Sequence, residues 1–148
     1  FEMYKIGETS TAMKKLADTF GTIVIVTNQR GIGRGLMSTH DLDAIHESML
    51  ETIEAAGGRI DRIYYAPDLD SQAEDRKPNT GLGLKAKVDF PQIDFNKSIM
   101  VGNNLSDMKF GKGLNMHTVY VETTHPLHED HELIDLKLDG LVSFANLF

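Results

Sequence analysis

Apolar positions along the chain follow two different spacings. One is continuous. Ile23-Val24-Ile25-Val26 and Ser98-Ile99-Met100-Val101 are short runs rich in aliphatic residues. They are too short to make good helices, and the first is mostly β-branched, so they read as strands buried on both faces, the habit of a parallel sheet. The first strand is expected over 22–26 and the second of these over 97–101, with further strands over 60–66, 117–121 and 133–136. The other spacing is three and four. Met13, Leu16, Ala17 and Phe20 predict a helix over 11–20, capped by Thr9 or Ser10 and ended by Gly21. Ser38-Thr39-His40-Asp41 opens a longer helix whose apolar face is Leu42, Ile45, Met49 or Leu50, and Ile53, and Gly57-Gly58 stops it. Shorter helices follow over 81–88, 105–114 and 141–147.

Strands and helices therefore alternate, the signature of βαβ units and of a parallel sheet with helices on both faces. The 148 residues suffice for one domain with its own core, and no repeat, low-complexity tract or linker divides them. A hydrophobic content of 41% and a charged content of 25% are ordinary for a globular protein. The net charge of −7 argues against generic binding to nucleic acid or to anionic membranes, while allowing a local basic pocket. With no cysteine there is no disulfide framework, thiolate metal site or thiol nucleophile. No apolar run approaches a membrane span and no stretch resembles a signal peptide, so the expected setting is the cytoplasm. A monomer or weak homodimer is expected. The first residue is Phe1 and not Met, which predicts a cropped or processed start.

Three places carry candidate chemistry. The first strand runs into Thr27-Asn28 and then Gln29-Arg30-Gly31-Ile32-Gly33-Arg34-Gly35. Ligands of open α/β sheets bind beyond the carboxyl ends of strands. A hydroxyl, an amide, two guanidinium groups and glycine-rich backbone suit an anion, most plausibly phosphate, although Thr-Asn is also an ordinary turn. The loop is neither a P-loop nor a dinucleotide fingerprint, because the Lys-Ser/Thr and the third glycine are not where those motifs need them. Arg76-Lys77-Pro78 follows the second strand, and the proline keeps Lys77 out of a helix. Lys as a point charge and Arg as a fork suit a dianionic phosphate; a solvated basic pair is the alternative. Gly102-Asn103-Asn104-Leu105-Ser106-Asp107 is a strand–turn–helix junction. Asn103 and Asp107, four apart, offer oxygens to Mg2+, or else the segment is an Asn cap with an acid in the first helical turn. His125 to His131 resembles a metal cluster by count only; its spacing fits no helical zinc motif, and it reads as a solvated loop.

Taken together in this order, strand–Thr27-Asn28, Lys77 and Gly102-Asn103 with Asp107 resemble motifs two, three and four of the haloacid dehalogenase (HAD) phosphatases. Val26-Thr27-Asn28-Gln29, Gly31-Ile32-Gly33-Arg34-Gly35 and Arg76-Lys77-Pro78 look like the D-glycero-D-manno-heptose 1,7-bisphosphate phosphatase and histidinol-phosphatase group. The resemblance implies a Rossmann-like α/β fold without a large cap domain. It also implies Mg2+-dependent hydrolysis of a small phosphate ester, most plausibly a sugar bisphosphate, through an aspartyl-phosphate. Thr27 would hold phosphoryl oxygens with Asn28, and Lys77 would neutralise developing charge. Gln29, Arg30, Arg34, Arg76 and Asn104 would contact the rest of the substrate, and Asn103 with Asp107 would hold the metal.

Three departures qualify that pattern. The Asp-x-Asp-Gly nucleophile motif is absent: Asp41 and Asp43 open a helix, and Asp68 and Asp70 follow Pro67 in a loop. In the family's sheet the motif-one strand lies between those ending at Thr27 and Val101, and omitting it would open a gap of roughly 10 Å. The natural protein is accordingly expected to contain that strand; a phosphate-binding or regulatory module of the same fold is the alternative. Asn103 stands where the family usually has Asp, which lowers the charge on a cation. The loop over 66–75 lacks the three Cys and the His with which many relatives bind zinc, so no zinc is expected. A receiver-like signalling domain is disfavoured because no acidic cluster ends the early strands.

Overall fold

A computed structural model describes residues 6–28, 34, 35, 37–66, 73–122 and 132–148. In chain order its elements are α1 (Ile6–Thr19), β1 (Val24–Asn28), α2 (Thr39–Ala55), β2 (Arg62–Ala66), α3 (Gly81–Asp89), β3 (Ile99–Gly102), α4 (Leu105–Gly113), β4 (His117–Val121), β5 (Leu136–Leu138) and α5 (Leu141–Ala145), with one 3-10 turn at Phe95–Lys97. Among the described residues the three strand pairings are parallel: β1 with β2, β3 with β4, and β4 with β5. The chain divides into two compact units, one of Phe1–Leu69 with Leu141–Phe148 and one of Asp70–Gly140.

In the first unit, β1 and β2 pair in the register Val24 with Arg62 through Asn28 with Ala66. Thr27 and Asn28 are therefore the last two residues of the strand and not a turn beyond it, because Tyr65 and Ala66 continue the ladder opposite them. Every residue of β1 is half-buried, where the apolar run predicted full burial. Its single ladder partner among the described residues accounts for the difference. Helix α1 starts at Ile6, so Thr9 and Ser10 lie inside it and are not its cap; their helix propensities are only a few tenths of a kcal/mol below average, too little to stop it. Ala12, Met13 and Leu16 are buried, together with Leu42, Met49 and Ile53 of α2. Ser38 caps α2 with a reciprocal capping box: its Oγ accepts from Asp41 N at 3.0 Å, and Asp41 Oδ2 accepts from Ser38 N at 3.1 Å. The other end of α1 is closed from afar. Arg59 donates to the carbonyls of Phe20 at 2.6 Å and Ala17 at 3.3 Å, satisfying acceptors that no helical N–H reaches. Asp61 Oδ2 accepts from Ile23 N at 2.7 Å just before β1 begins. Phe20 stacks with Phe144, centroids 6.5 Å apart, and meets the edge of Phe148 at 5.1 Å, which fastens α5 to this unit.

In the second unit β4 lies between β3 and β5. Thr118, Val119, Tyr120 and Val121 are all buried. Helix α4 packs tightly on this sheet: a Cβ on Gly111 would come within 2.8 Å of Met100 Cβ and 2.9 Å of Thr118 Cγ2. Strand β5 covers 136–138 where the pattern predicted 133–136. The residues before it are diverted by Thr118, whose Oγ1 donates to the Leu133 carbonyl at 2.6 Å and whose backbone N–H donates to Asp135 Oδ2 at 2.9 Å. Asp135 is thus a side-chain acceptor at the entry of β5, and regular pairing starts after it.

Candidate active site

The segment that presents Lys77 is knitted into successive turns. Arg76 N donates to Ala73 O at 3.1 Å, Asn79 N to Arg76 O at 2.9 Å, and Asn79 Nδ2 back to Ala73 O at 2.8 Å. Gly81 N donates to Glu74 O at 2.9 Å, and an ion pair joins Lys85 to Asp75. Lys77 stays out of a helix as its proline neighbour predicts, and the Lys77–Pro78 peptide is cis. Arg76 is half-buried in the same turns.

The strand–turn–helix junction supplies the facing group. Asn104 is the N-cap of α4, extended at φ −139 and ψ 148, and its side-chain oxygen accepts from Ser106 N at 3.1 Å. Asp107 sits in the first turn of α4, where a carboxylate complements the helix dipole. Both features of the capped-helix reading are present. Asp107 nevertheless does more than complement a dipole. It is 6% exposed, and its Oδ1 lies 2.6 Å from Lys77 Nζ, with the lysine side chain only 11% exposed. Two residues 30 positions apart form a largely buried, charge-assisted pair. Gly102 makes room for it, since a Cβ there would fall 2.4 Å from both Asp107 Cβ and Oδ2.

Tyr120 was not among the residues the sequence pointed to. It is the register partner of Gly102 on the neighbouring strand and is 2% exposed. Burial pushes its phenol above the ordinary tyrosine value, the negative charges of Glu122 and Asp107 push the same way, and Lys137 opposes them. Only strand register, which is invisible in a linear reading, brings Tyr120 beside this junction.

The remaining candidates fall elsewhere. Thr27 and Asn28 end β1 in the first unit, half-buried, with Thr27 Oγ1 3.4 Å from the Asn28 carbonyl. Arg34 lies in an exposed turn. Gln29 and Arg30, the His125 to His131 cluster and most of the loop over 66–75 lie outside the described residues. Among the described residues no three His, Cys, Asp or Glu side chains gather as a metal centre. Asn103 and Asp107 are hard oxygen donors of the kind Mg2+ takes, and that ion commonly uses one or two carboxylates and completes its shell with water and substrate phosphate. The donor chemistry therefore fits, with Asp107 already committed to Lys77 through one oxygen.

A family model described as polynucleotide kinase 3 phosphatase matches residues 3–143. The D-glycero-beta-D-manno-heptose-1,7-bisphosphate 7-phosphatase of Haemophilus influenzae is 31% identical over 145 residues, covering 92% of this chain and 78% of that protein. The D-glycero-alpha-D-manno-heptose-1,7-bisphosphate 7-phosphatase of Campylobacter jejuni is 39% identical over 97 residues, 66% of this chain, and the matched part spans 55% of that protein's length. Among solved structures, the D,D-heptose 1.7-bisphosphate phosphatase of B. bronchiseptica, complexed with magnesium and phosphate, superposes with a TM-score of 0.80 at 24% identity, covering 95% of this chain and 80% of that one.

Proposed function

The chain belongs to the polynucleotide kinase 3 phosphatase family of HAD-like proteins, and from that premise we propose that it is the phosphate-holding part of a Mg2+-dependent phosphatase acting on a small sugar bisphosphate such as heptose 1,7-bisphosphate. The observation that carries this reading is the buried Lys77–Asp107 pair beside the Gly102–Asn103 turn. A preorganised cation in a little-solvated place is what a phosphoryl group gaining charge requires.

In this reading the Thr27 hydroxyl and the Asn28 amide donate hydrogen bonds to phosphoryl oxygens. Lys77 meets the charge that builds on phosphoryl oxygen as the ester bond breaks. Arg76, Arg34, Arg30, Gln29 and Asn104 recognise the remainder of the substrate, the arginines being suited to a second phosphate. Asn103 and Asp107, directly or through water, would hold Mg2+, whose contribution when bound is to polarise a phosphoryl oxygen. An aspartate nucleophile at the end of an apolar strand is not among these 148 residues. The protein is proposed to work in the cytoplasm as a single HAD-like domain, monomeric or weakly dimeric, without zinc and without nucleic-acid or membrane partners. Among the described residues no helix is long and apolar enough to cross a membrane.

The test is release of inorganic phosphate from heptose 1,7-bisphosphate, and from p-nitrophenyl phosphate, by the protein that carries these residues, with and without Mg2+. Turnover that requires Mg2+ supports the reading. No release from any of a panel of sugar phosphates at saturating Mg2+ sinks it. One observation favours a second reading, a phosphate-binding module without turnover: the neutral amide of Asn103 at the expected carboxylate position. Calorimetric binding of phosphate esters with no hydrolysis at any Mg2+ concentration would select it.

A further inference from the structure

A lysine assigned to a phosphoryl group must hold its ammonium in one place. Its four-carbon stem carries about 2 kcal/mol of rotamer entropy and no direction of its own. The second unit shows what fixes it. Nζ of Lys77 is 2.6 Å from Asp107 Oδ1. Asp107 is in turn held from two sides. Its backbone N–H donates to Asn104 O at 3.0 Å in the first turn of α4. Its carboxylate lies against the bare Cα of Gly102, where a Cβ would be 2.4 Å from Oδ2 and 2.6 Å from Cγ. One oxygen is thus committed to the ammonium, and the other is packed on strand backbone.

We propose that Asp107 is a positioning residue: seated in the space left by Gly102, it fixes the Lys77 ammonium and is not a direct ligand of a cation. A Mg2+ ion bonds oxygen at about 2.0–2.1 Å and demands near-octahedral geometry. On Oδ1 it would share an oxygen with an ammonium, and two like charges at that range repel strongly where solvent is scarce. On Oδ2 the Gly102 backbone blocks one side of the approach. Asn103 is left as the oxygen donor of this turn for a cation. This inference rests on the phosphatase reading and narrows it.

Asp107→Asn keeps the shape of the side chain and removes its charge, and retention of the fold is checked by circular dichroism before each titration. The protein carrying Lys77→Met, Asp107→Asn or both is titrated calorimetrically with inorganic phosphate and, separately, with Mg2+. The expected result is a loss of phosphate affinity of roughly tenfold in each single variant and no further loss in the double variant, as for two residues acting as one unit. Mg2+ affinity in Asp107→Asn stays within about threefold of wild type, the scatter of independent sites. Gly102→Ala, which removes no charge, is expected to reproduce the phosphate defect. A tenfold or greater loss of Mg2+ affinity in Asp107→Asn, with additive phosphate effects, overturns the inference. Wild-type protein that binds no phosphate overturns the phosphatase reading instead. In that case 13C relaxation of the Lys77 Cε decides the positioning role: loss of order in Asp107→Asn upholds it and unchanged order rejects it.

Discussion

β1 and β4 carry similar strings, Val24-Ile25-Val26-Thr27-Asn28 and His117-Thr118-Val119-Tyr120-Val121, and lie in different surroundings. β4 has a ladder partner on each side, and four of its five residues are buried. β1 pairs with β2, and all five of its residues are half-buried. A strand's pattern announces that it wants covering; the number of partners and helices around it decides how far that is met. The chemistry follows the same division. The second unit holds a charge pair already assembled at the end of β3, where Tyr120 of β4 is the register partner of Gly102. The first unit offers hydrogen-bonding groups at the end of a less enclosed strand.

The largest way to break this contrast is to remove one partner of the assembled pair. Lys77→Ala leaves the Asp107 carboxylate buried and unpaired. It is expected to cost about 3 kcal/mol of stability, read from urea unfolding. In the proposed phosphatase it is also expected to lower kcat by about two to three powers of ten, since a preorganised charge is lost. Thr27→Ala in the first unit is expected to change stability by less than about 1 kcal/mol, because the site is half-exposed. Equal destabilisation by the two substitutions would remove the distinction between an assembled and an open side.

Hydrogen exchange sharpens the same contrast without mutation. The amides of Val119 and Val121, inside a three-stranded sheet, are expected to exchange through openings costing on the order of 2 kcal/mol more than those of Ile25 and Val26. Exchange of both sets at one rate would show that the two sheets open as a single cooperative body.

Much of this arrangement was legible in the sequence, for local reasons. The Ser38 to Asp41 capping box, the face of Leu42, Met49 and Ile53, and the alternation of strand and helix depend on residues within a few positions of each other. Each of the three segments proposed to hold phosphate was also marked by its residue types. What the linear reading missed depends on distance. The motif resemblance assigns Lys77 and Asp107 to one site, but no local pattern predicts that two side chains 30 positions apart pair directly. The need for glycine at 102 follows from a carboxylate arriving from the next helix. Tyr120 enters only through register, and Asp135 diverts the chain before β5 only because Thr118 faces it.

A smaller effect belongs to the helix cap of the first unit. Ser38→Ala removes the acceptor for Asp41 N and is expected to cost about 1 kcal/mol by thermal or urea unfolding. Ser38→Asp, which keeps an acceptor, is expected to restore most of it.

The smallest effect lies at β4 and depends on pH. Each unit has a carboxylate that takes a backbone N–H at or just before a strand: Asp61 accepts from Ile23 at 2.7 Å before β1, and Asp135 accepts from Thr118 at 2.9 Å in β4. The hydrogen bond from Lys112, at 2.7 Å, holds the Asp135 carboxyl below its ordinary range. The Thr118 N–H and the charges of Lys112 and His117 act in the same direction, and burial works partly against them. A carboxyl whose folded pKa is lowered stabilises the fold fully above its unfolded value of about 3.9, and the contribution disappears as pH falls through the lower folded value. Its side chain is 43% exposed, so solvent screening limits the contribution to less than about 1 kcal/mol. Asp135→Asn is therefore expected to be less stable than wild type at pH 7, with the gap narrowing steadily below about pH 4. Urea unfolding of both proteins across that range checks it. A gap that stays constant would assign the effect of Asp135 to the shape of its hydrogen bonds, and the Lys112 charge would then have no part in holding the entry of β5.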